Sequence, residues 1–335
     1  MRKFEKIRTP EYLRDNKYDP IYTITKGDNL VITEKLDGAN AQVCKDDKGN
    51  ITSYSRNNLL NEKNTLRGFK NIIDDNTEVF KQIPNNISIF GEWLVSHAVK
   101  YKQDCYNKWY LFDIFDENTK SFLGYDKALS IYNKLFKNVD FIKMAPLLDR
   151  RNDVDADGLV EDAKKYWNNS KYSVSGQAEG FVVTDESKLI SIGDDSDINK
   201  YLRVKFVAPK FREVDHSGNI ASSNPNDEFI RMFTYKWITQ PRILKQYYKL
   251  RDNGKAPDKL TNKIFRGVGN GEALSVTIAK MALEDALDEV DINEASIFAK
   301  MKDAKFKEEL MKRVQKTVNT CLGMNLSGKH ERLKG

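Results

Sequence analysis

The sequence predicts an α+β protein, with antiparallel sheets and flanking helices in its first two-thirds and a small all-α domain at its C-terminal end. Three observations carry this reading. Short segments rich in β-branched and aromatic residues, bounded by polar turns, recur through the chain before residue 210. The helical stretches among them do not alternate regularly with strands, which argues against a doubly wound parallel sheet. After a Gly/Ser/Asn/Pro cluster at His216–Asn226 the apolar spacing becomes that of helices.

The predicted strands are Leu30–Thr33, Ala41–Cys44, Ile51–Arg56, Ile87–Leu94, Trp109–Phe115, Gly180–Thr184 and Tyr201–Phe206. Helices are predicted near Tyr125–Phe136 and Val160–Trp167. Beyond the cluster, Phe229–Leu250 reads as helix. Leu283, Leu287 and Val290 fall at i, i+4, i+7, and Leu310, Val314, Val318 and Leu322 step by four. The expected division is a domain over 1–220 and a helical domain over 227–335. No internal repeat interrupts it.

The chain has 335 residues, 40% of them hydrophobic and 31% charged, which places it among soluble globular proteins. No apolar run approaches the ~20 residues of a membrane span, and the first residues lack the apolar core of a secretory signal. Cys44, Cys105 and Cys321 are far apart and read as reduced thiols of a cytoplasmic protein. His97, His216 and His330 stand in unrelated contexts and build no metal site, so any metal is expected on Asp or Glu oxygens. The net charge of +6 falls entirely after residue 225, the first 225 residues being neutral. A basic appendage on a neutral body suits a polyanionic partner. A solvated, lysine-rich helical surface explains the charge equally well, and the stretch Lys300–Lys316 reads as such a face.

Several short segments carry possible chemistry. In Glu34-Lys35-Leu36-Asp37-Gly38-Ala39-Asn40 a strand ends in a lysine, and a glycine-containing turn leads to the next strand. Such a turn sets the lysine at the sheet rim, where a pKa lowered by neighbouring cations or by desolvation would make it a nucleophile. Taken alone, Asp-Gly is an ordinary hairpin signal. Arg56 ends a strand with a guanidinium suited to phosphate or ribose. Glu92 sits inside an apolar strand and needs a partner there. Phe112 and Asp113 lie in an aromatic strand, and Glu179 precedes another strand. Arg203 and Lys205, at i and i+2, share a strand face. Each feature alone has a bland structural explanation. Together they form the inventory of nucleotidyl transfer through a covalent intermediate.

In their order, these segments resemble the covalent nucleotidyltransferase superfamily of polynucleotide ligases and mRNA capping enzymes, and within it the RNA ligase 2 family. The resemblance spans roughly residues 30–210. It rests on Lys35-Leu-Asp37-Gly38-Ala-Asn40, Ser55-Arg56, Phe90-Gly91-Glu92, Phe112-Asp113, Glu179-Gly180-Phe181-Val182 and Leu202-Arg203-Val204-Lys205. It implies a nucleotidyltransferase (ATP-grasp-like) domain and an ATP-dependent ligase. Lys35 is implied as the nucleophile that takes AMP from ATP. Glu34, Asn40, Arg56, Glu92, Phe112, Arg203 and Lys205 are implied as ATP or AMP contacts, with Phe112 stacking on adenine. Glu179 is implied as a ligand of Mg²⁺ (or Mn²⁺), and Arg203 and Lys205 as holders of phosphate oxygens. The family's fifth motif usually has lysine at both cationic positions, whereas here the first is Arg203.

The expected partner is RNA, as a nicked duplex or hybrid, joined by a monomeric protein with no membrane association. DNA ligases and capping enzymes normally follow the core with a strand-rich barrel, and the tail here reads as helix. A compact ATP-dependent DNA ligase is the alternative. From another class comes a non-catalytic nucleic-acid-binding protein on a ligase fold.

Overall fold

The computed structural model describes residues 4, 7, 29–152, 159, 165–191, 198–211, 225–258, 273–290 and 296–326. His216, His330, most of the His216–Asn226 segment and residues 160–164 of the predicted Val160–Trp167 helix lie outside them. Ten strands join one sheet: β1 (Leu30–Lys35), β2 (Ala39–Lys45), β3 (Ile51–Ser55), β4 (Ile87–Trp93), β5 (Trp109–Asp116), β6 (Ser121–Phe122), β7 (Ile142–Met144), β8 (Leu147–Arg151), β9 (Gly180–Ser191) and β10 (Asn199–Val207). Their order is β3-β2-β4-β5-β6-β10-β9-β1-β8, with β7 beside β5. Every predicted strand is present. The pairings are antiparallel except β10 with β6 and β5 with β7, so the sheet is mixed rather than purely antiparallel.

β1 and β2 are consecutive in sequence but lie near opposite ends of the strand order. The short Leu36–Gly38 link must therefore cross from one half of the sheet to the other, and Lys35 sits at that seam. Each half has its own core. In one, Val43, Ile89, Trp93, Trp109 and Leu111 pack with Phe69 and Phe80 of two short helices, α1 (Phe69–Asp75) and α2 (Thr77–Lys81), and with α3 (Tyr125–Leu135). Burying a phenylalanine there contributes about 1.5–3 kcal/mol. In the other, Leu30, Ile32, Phe181, Val183, Leu202, Val204 and Phe206 form the apolar face of β1, β9 and β10. The period-2 alternation of strands then sends Lys35, Arg203 and Lys205 to the opposite face.

The chain separates into two compact units, Met1–Ala208 and Pro209–Gly335. The second is helical where it is described: α4 (Pro225–Trp237), α5 (Gln240–Asp252), α6 (Leu274–Leu287), α7 (Ser296–Lys300) and α8 (Ala304–Leu326). Leu310, Val314, Val318 and Leu322 are all fully buried, as their four-residue spacing requires. The single helix predicted over Phe229–Leu250 is instead two. Pro241 lies in the first turn of α5. Proline disfavours helical backbone in the residue before it and fits the start of a new helix. Among the described residues no helix is long and apolar enough to cross a membrane.

Candidate active site

Lys35 is the last residue of β1, paired in register with Gly180 of β9. Its Nζ lies 2.5 Å from Oε1 of Glu179. Glu92, on β4, accepts the backbone N–H of Gly38 on Oε1 at 2.9 Å, which ties the link after Lys35 to the other half of the sheet. The approach explains Gly38: a Cβ there would lie 2.5 Å from the carbonyl oxygen of Trp93. Gly180 is equally constrained, with a Cβ falling 2.1 Å from the carbonyl of Phe206. Asn40 is the cross-strand partner of Glu92, so both side chains leave the same face.

The electrostatics are those of one ammonium among carboxylates. Burial works to lower the Lys35 pKa, but the attraction of Glu179, Glu92 and Asp37 outweighs it and the net shift is upward. Carboxylates rather than cations surround the amine, so the lowering that would favour a nucleophile is not present around Lys35 in this form. Burial raises Glu92 to about 7 against the pull of Lys35, and Glu179 adds to the rise. Glu179 is raised too, chiefly by burial. Asp37 moves the other way: burial is overcome by His97, by the Val99 N–H and by Lys35.

The remaining predicted residues divide. Lys205 shares the Lys35 face and lies near enough to Glu179 to lower its pKa. Arg56 follows β3, and its Nε is buried without a hydrogen-bond partner. Phe112 is half-buried and meets the Phe4 ring edge-on at 5.0 Å. Arg203 already has a carboxylate partner. Its Nη2 lies 2.5 Å from Oδ2 of Asp113, both side chains are nearly buried, and the guanidinium sits 4.9 Å from the Phe122 ring centroid. Asp113 engages Nη2 within the sheet, while Nη1 of the same guanidinium is buried without a hydrogen-bond partner. Glu34 departs from expectation. The alternation that exposes Lys35 turns Glu34 to the other side, where its buried carboxylate accepts from Ser170 Oγ at 2.6 Å.

Against this geometry stand the comparisons with known proteins. The RNA ligase family model matches residues 28–202, more than half of the chain. The chain belongs to the RNA ligase family. The match holds Lys35, Glu92 and Glu179 and ends just before Arg203 and Lys205. Similar solved structures include a mutant of Naegleria gruberi RNA ligase without ligand (20% identity, TM-score 0.44), that ligase with pyrophosphate (19%, 0.44), and a lysine-to-alanine variant with ATP and Mn (20%, 0.44). In each case 63% of this chain is covered, and the chain spans 57% of the length of that ligase. No curated protein matches.

A family of this kind implies a divalent cation. Among the described residues no three His, Cys, Asp or Glu side chains group as a complete metal site. Glu179 nonetheless fits as a single ligand: Oε1 meets Lys35, while Oε2 is buried without a hydrogen-bond partner. A hard cation with one protein carboxylate would complete its shell from nucleotide phosphates and water, as Mg²⁺ commonly does. Sequence reasoning passed over three residues of this family member's site. His97 (read as an unrelated residue), Tyr101 and Ser170 all contact the residues that flank Lys35, across 60, 64 and 136 positions of sequence. No local pattern signals contacts so distant.

Proposed function

We propose that the protein is an ATP-dependent RNA ligase that seals 5′-phosphate and 3′-hydroxyl ends through a lysyl-AMP. The observation that carries this reading is Lys35, an amine at the seam of the sheet beside Glu179 and inside the span matched by the RNA ligase family. In the first step Lys35 Nζ loses a proton and bonds to the α-phosphorus of ATP, and pyrophosphate leaves. In the second, a 5′-phosphate oxygen takes the AMP and frees Lys35. In the third, a 3′-hydroxyl attacks that 5′-phosphorus, loses its proton and displaces AMP.

The chain's residues divide the work. Glu92 and Asn40 face the nucleoside side of the seam, with Phe112 as the aromatic surface for the base. Lys205 and Arg56 supply positive charge for phosphate, and Glu179 would hold Mg²⁺ or Mn²⁺. A bound cation would offset charge on the phosphates and weaken the hold of Glu179 on the Lys35 proton. Displacement at phosphorus asks mainly for positioning and charge compensation, which a rigid sheet rim supplies. RNA as the substrate follows the family, and a nick in duplex RNA or a hybrid is the form we favour. A compact DNA ligase and a binding protein without catalysis are the competing readings.

The test uses the purified chain and Lys35→Ala with Mg²⁺ and ATP labelled at the α-phosphate. The expected result is label on the denatured wild type and none on Lys35→Ala. A folded, adenylate-free wild type that takes no label defeats the ligase reading and leaves the binding protein. Matched nicks in RNA and DNA then decide the substrate.

A further inference from the structure

The stretch Glu34–Gly38 is held from two sides by segments distant in sequence. On one side, three contacts converge on Asp37. Its backbone N–H donates to Tyr101 Oη at 2.8 Å. Its Oδ2 accepts the Val99 N–H at 2.8 Å, and its Oδ1 lies 3.4 Å from His97 Nδ1. His97 is itself buried, and Tyr101 is 3% exposed. On the other side, Ser170 Oγ donates to Glu34 Oε1 at 2.6 Å, in a buried setting. The same Ser170 Oγ accepts the N–H groups of Tyr172 and Ser173.

These two segments are also joined to each other. Lys102 N–H donates to the Tyr172 carbonyl at 2.8 Å, and Val174 N–H to the Lys100 carbonyl at 2.8 Å. Tyr101 and Ser173 form a bridge between them. The contacts therefore close a ring: Glu34 to Ser170, Ser173 to Tyr101, Tyr101 to Asp37. Lys35 lies on the backbone between the two gripped residues.

We propose that His97, Tyr101 and Ser170 are positioning residues of a two-segment brace that fixes the backbone on both sides of Lys35 for attack on the nucleotide. The inference rests on the reading of Lys35 as nucleophile. It also gives Glu34 and Asp37 their work: neither needs to touch nucleotide, because each is a handle by which the brace holds the amine. An amine on a four-carbon stem has many rotamers, and a fixed anchor is what lets it meet phosphorus in line. Of the three ligation steps, only the first forms a bond to Lys35, and the second breaks it. Sealing a strand that already carries AMP bypasses both.

The test compares wild type with Ser170→Ala, His97→Ala, His97→Asn and Tyr101→Phe in two assays. One is the rate of label transfer from α-labelled ATP to the protein, and the other is the rate of sealing a pre-adenylated RNA nick. Loss of a hydrogen bond to a buried charged group translates to about a ten- to hundredfold slowing. The expected result is that slowing in label transfer for Ser170→Ala and His97→Ala, with sealing of the pre-adenylated nick within about threefold of wild type. Asparagine can place an amide N–H where imidazole Nδ1 stood, so His97→Asn should recover much of the loss. Label transfer unchanged in both alanine variants overturns the brace. Equal loss in the two assays also overturns it, showing a general structural role. A wild type that never takes label overturns the proposed function itself, a result distinct from either.

Discussion

At the scale of single residues, the site is a place where charge is concentrated and water is scarce. Glu92 shows the consequence. In the unfolded chain it titrates near its ordinary 4.5, and in the folded protein burial lifts it to about 7. The folded state therefore binds a proton more tightly than the unfolded one between those values. Glu92 favours folding fully below about 4.5, and that contribution is lost as pH rises through 7. Glu92→Gln removes the titration. The variant should gain stability relative to wild type as pH goes from 5 to 8, by about 1–3 kcal/mol at the upper end, while losing activity. Urea unfolding at both pH values checks this, and a pH-independent difference between the two proteins would show the charge to be fully compensated by Lys35. Residue types at this scale were largely legible: Lys35, Glu92, Glu179 and Lys205 do gather. The directions of side chains were less so. Glu34 adjoins the nucleophile motif and was read as a nucleotide contact, yet strand alternation turns it to Ser170; Arg203, a motif residue, has Asp113 on one of its nitrogens, which its strand position did not show.

At the scale of elements, period and turn chemistry revealed most strands and the stripe of α8. What they missed has physical reasons. β8 carries Asp149, Arg150 and Arg151 at the edge of the sheet, where charge is tolerated and apolar alternation is absent. β6 and β7 are two and three residues long, too short for a period to show. Equally hidden was the centre of the helical unit. Arg242 on α5 is fully buried, its guanidinium pairing with Asp285 of α6 and, at 2.6 Å, with Glu289 just after it. Two cations, Lys245 and Lys249, reach the same Asp285. Burying a guanidinium is tolerable only with such partners, and removing it takes from both acids their most buried cation. Arg242→Ala should cost about 3–5 kcal/mol in the unfolding of the helical unit. Replacing Arg242, Asp285 and Glu289 together with apolar residues of similar volume should cost far less. Chemical denaturation of the full chain, followed by helix signal, distinguishes them. An equal cost for the single and triple changes would mean that packing, not charge, sets the stability there.

At the scale of the whole molecule, the charge has a geography that the fold helps to interpret. The first 225 residues are neutral overall, and the +6 belongs to the final third. Two explanations remained level on sequence alone, a solvated lysine face and a contact with polyanion. The structure sorts the lysines of α8 by what they already touch. Lys312 is paired with Glu308 along the helix, whereas Lys305 and Lys307 are exposed. If the helical unit grips the RNA backbone, each phosphate neutralised adds about 0.9 to the slope of log affinity against log salt on a duplex. Four contacts would weaken binding about a hundredfold between 50 and 200 mM salt. ATP labelling of Lys35, which depends on the neutral half and a small ligand, should be far less sensitive. Lys305→Gln with Lys307→Gln should lower the slope by about two, and Lys312→Gln by much less. A nicked-duplex RNA titrated against each variant at several salt concentrations measures this directly. A slope that none of the substitutions moves would assign α8 to solvent, and would place the RNA contacts of this ligase family member on the sheet instead.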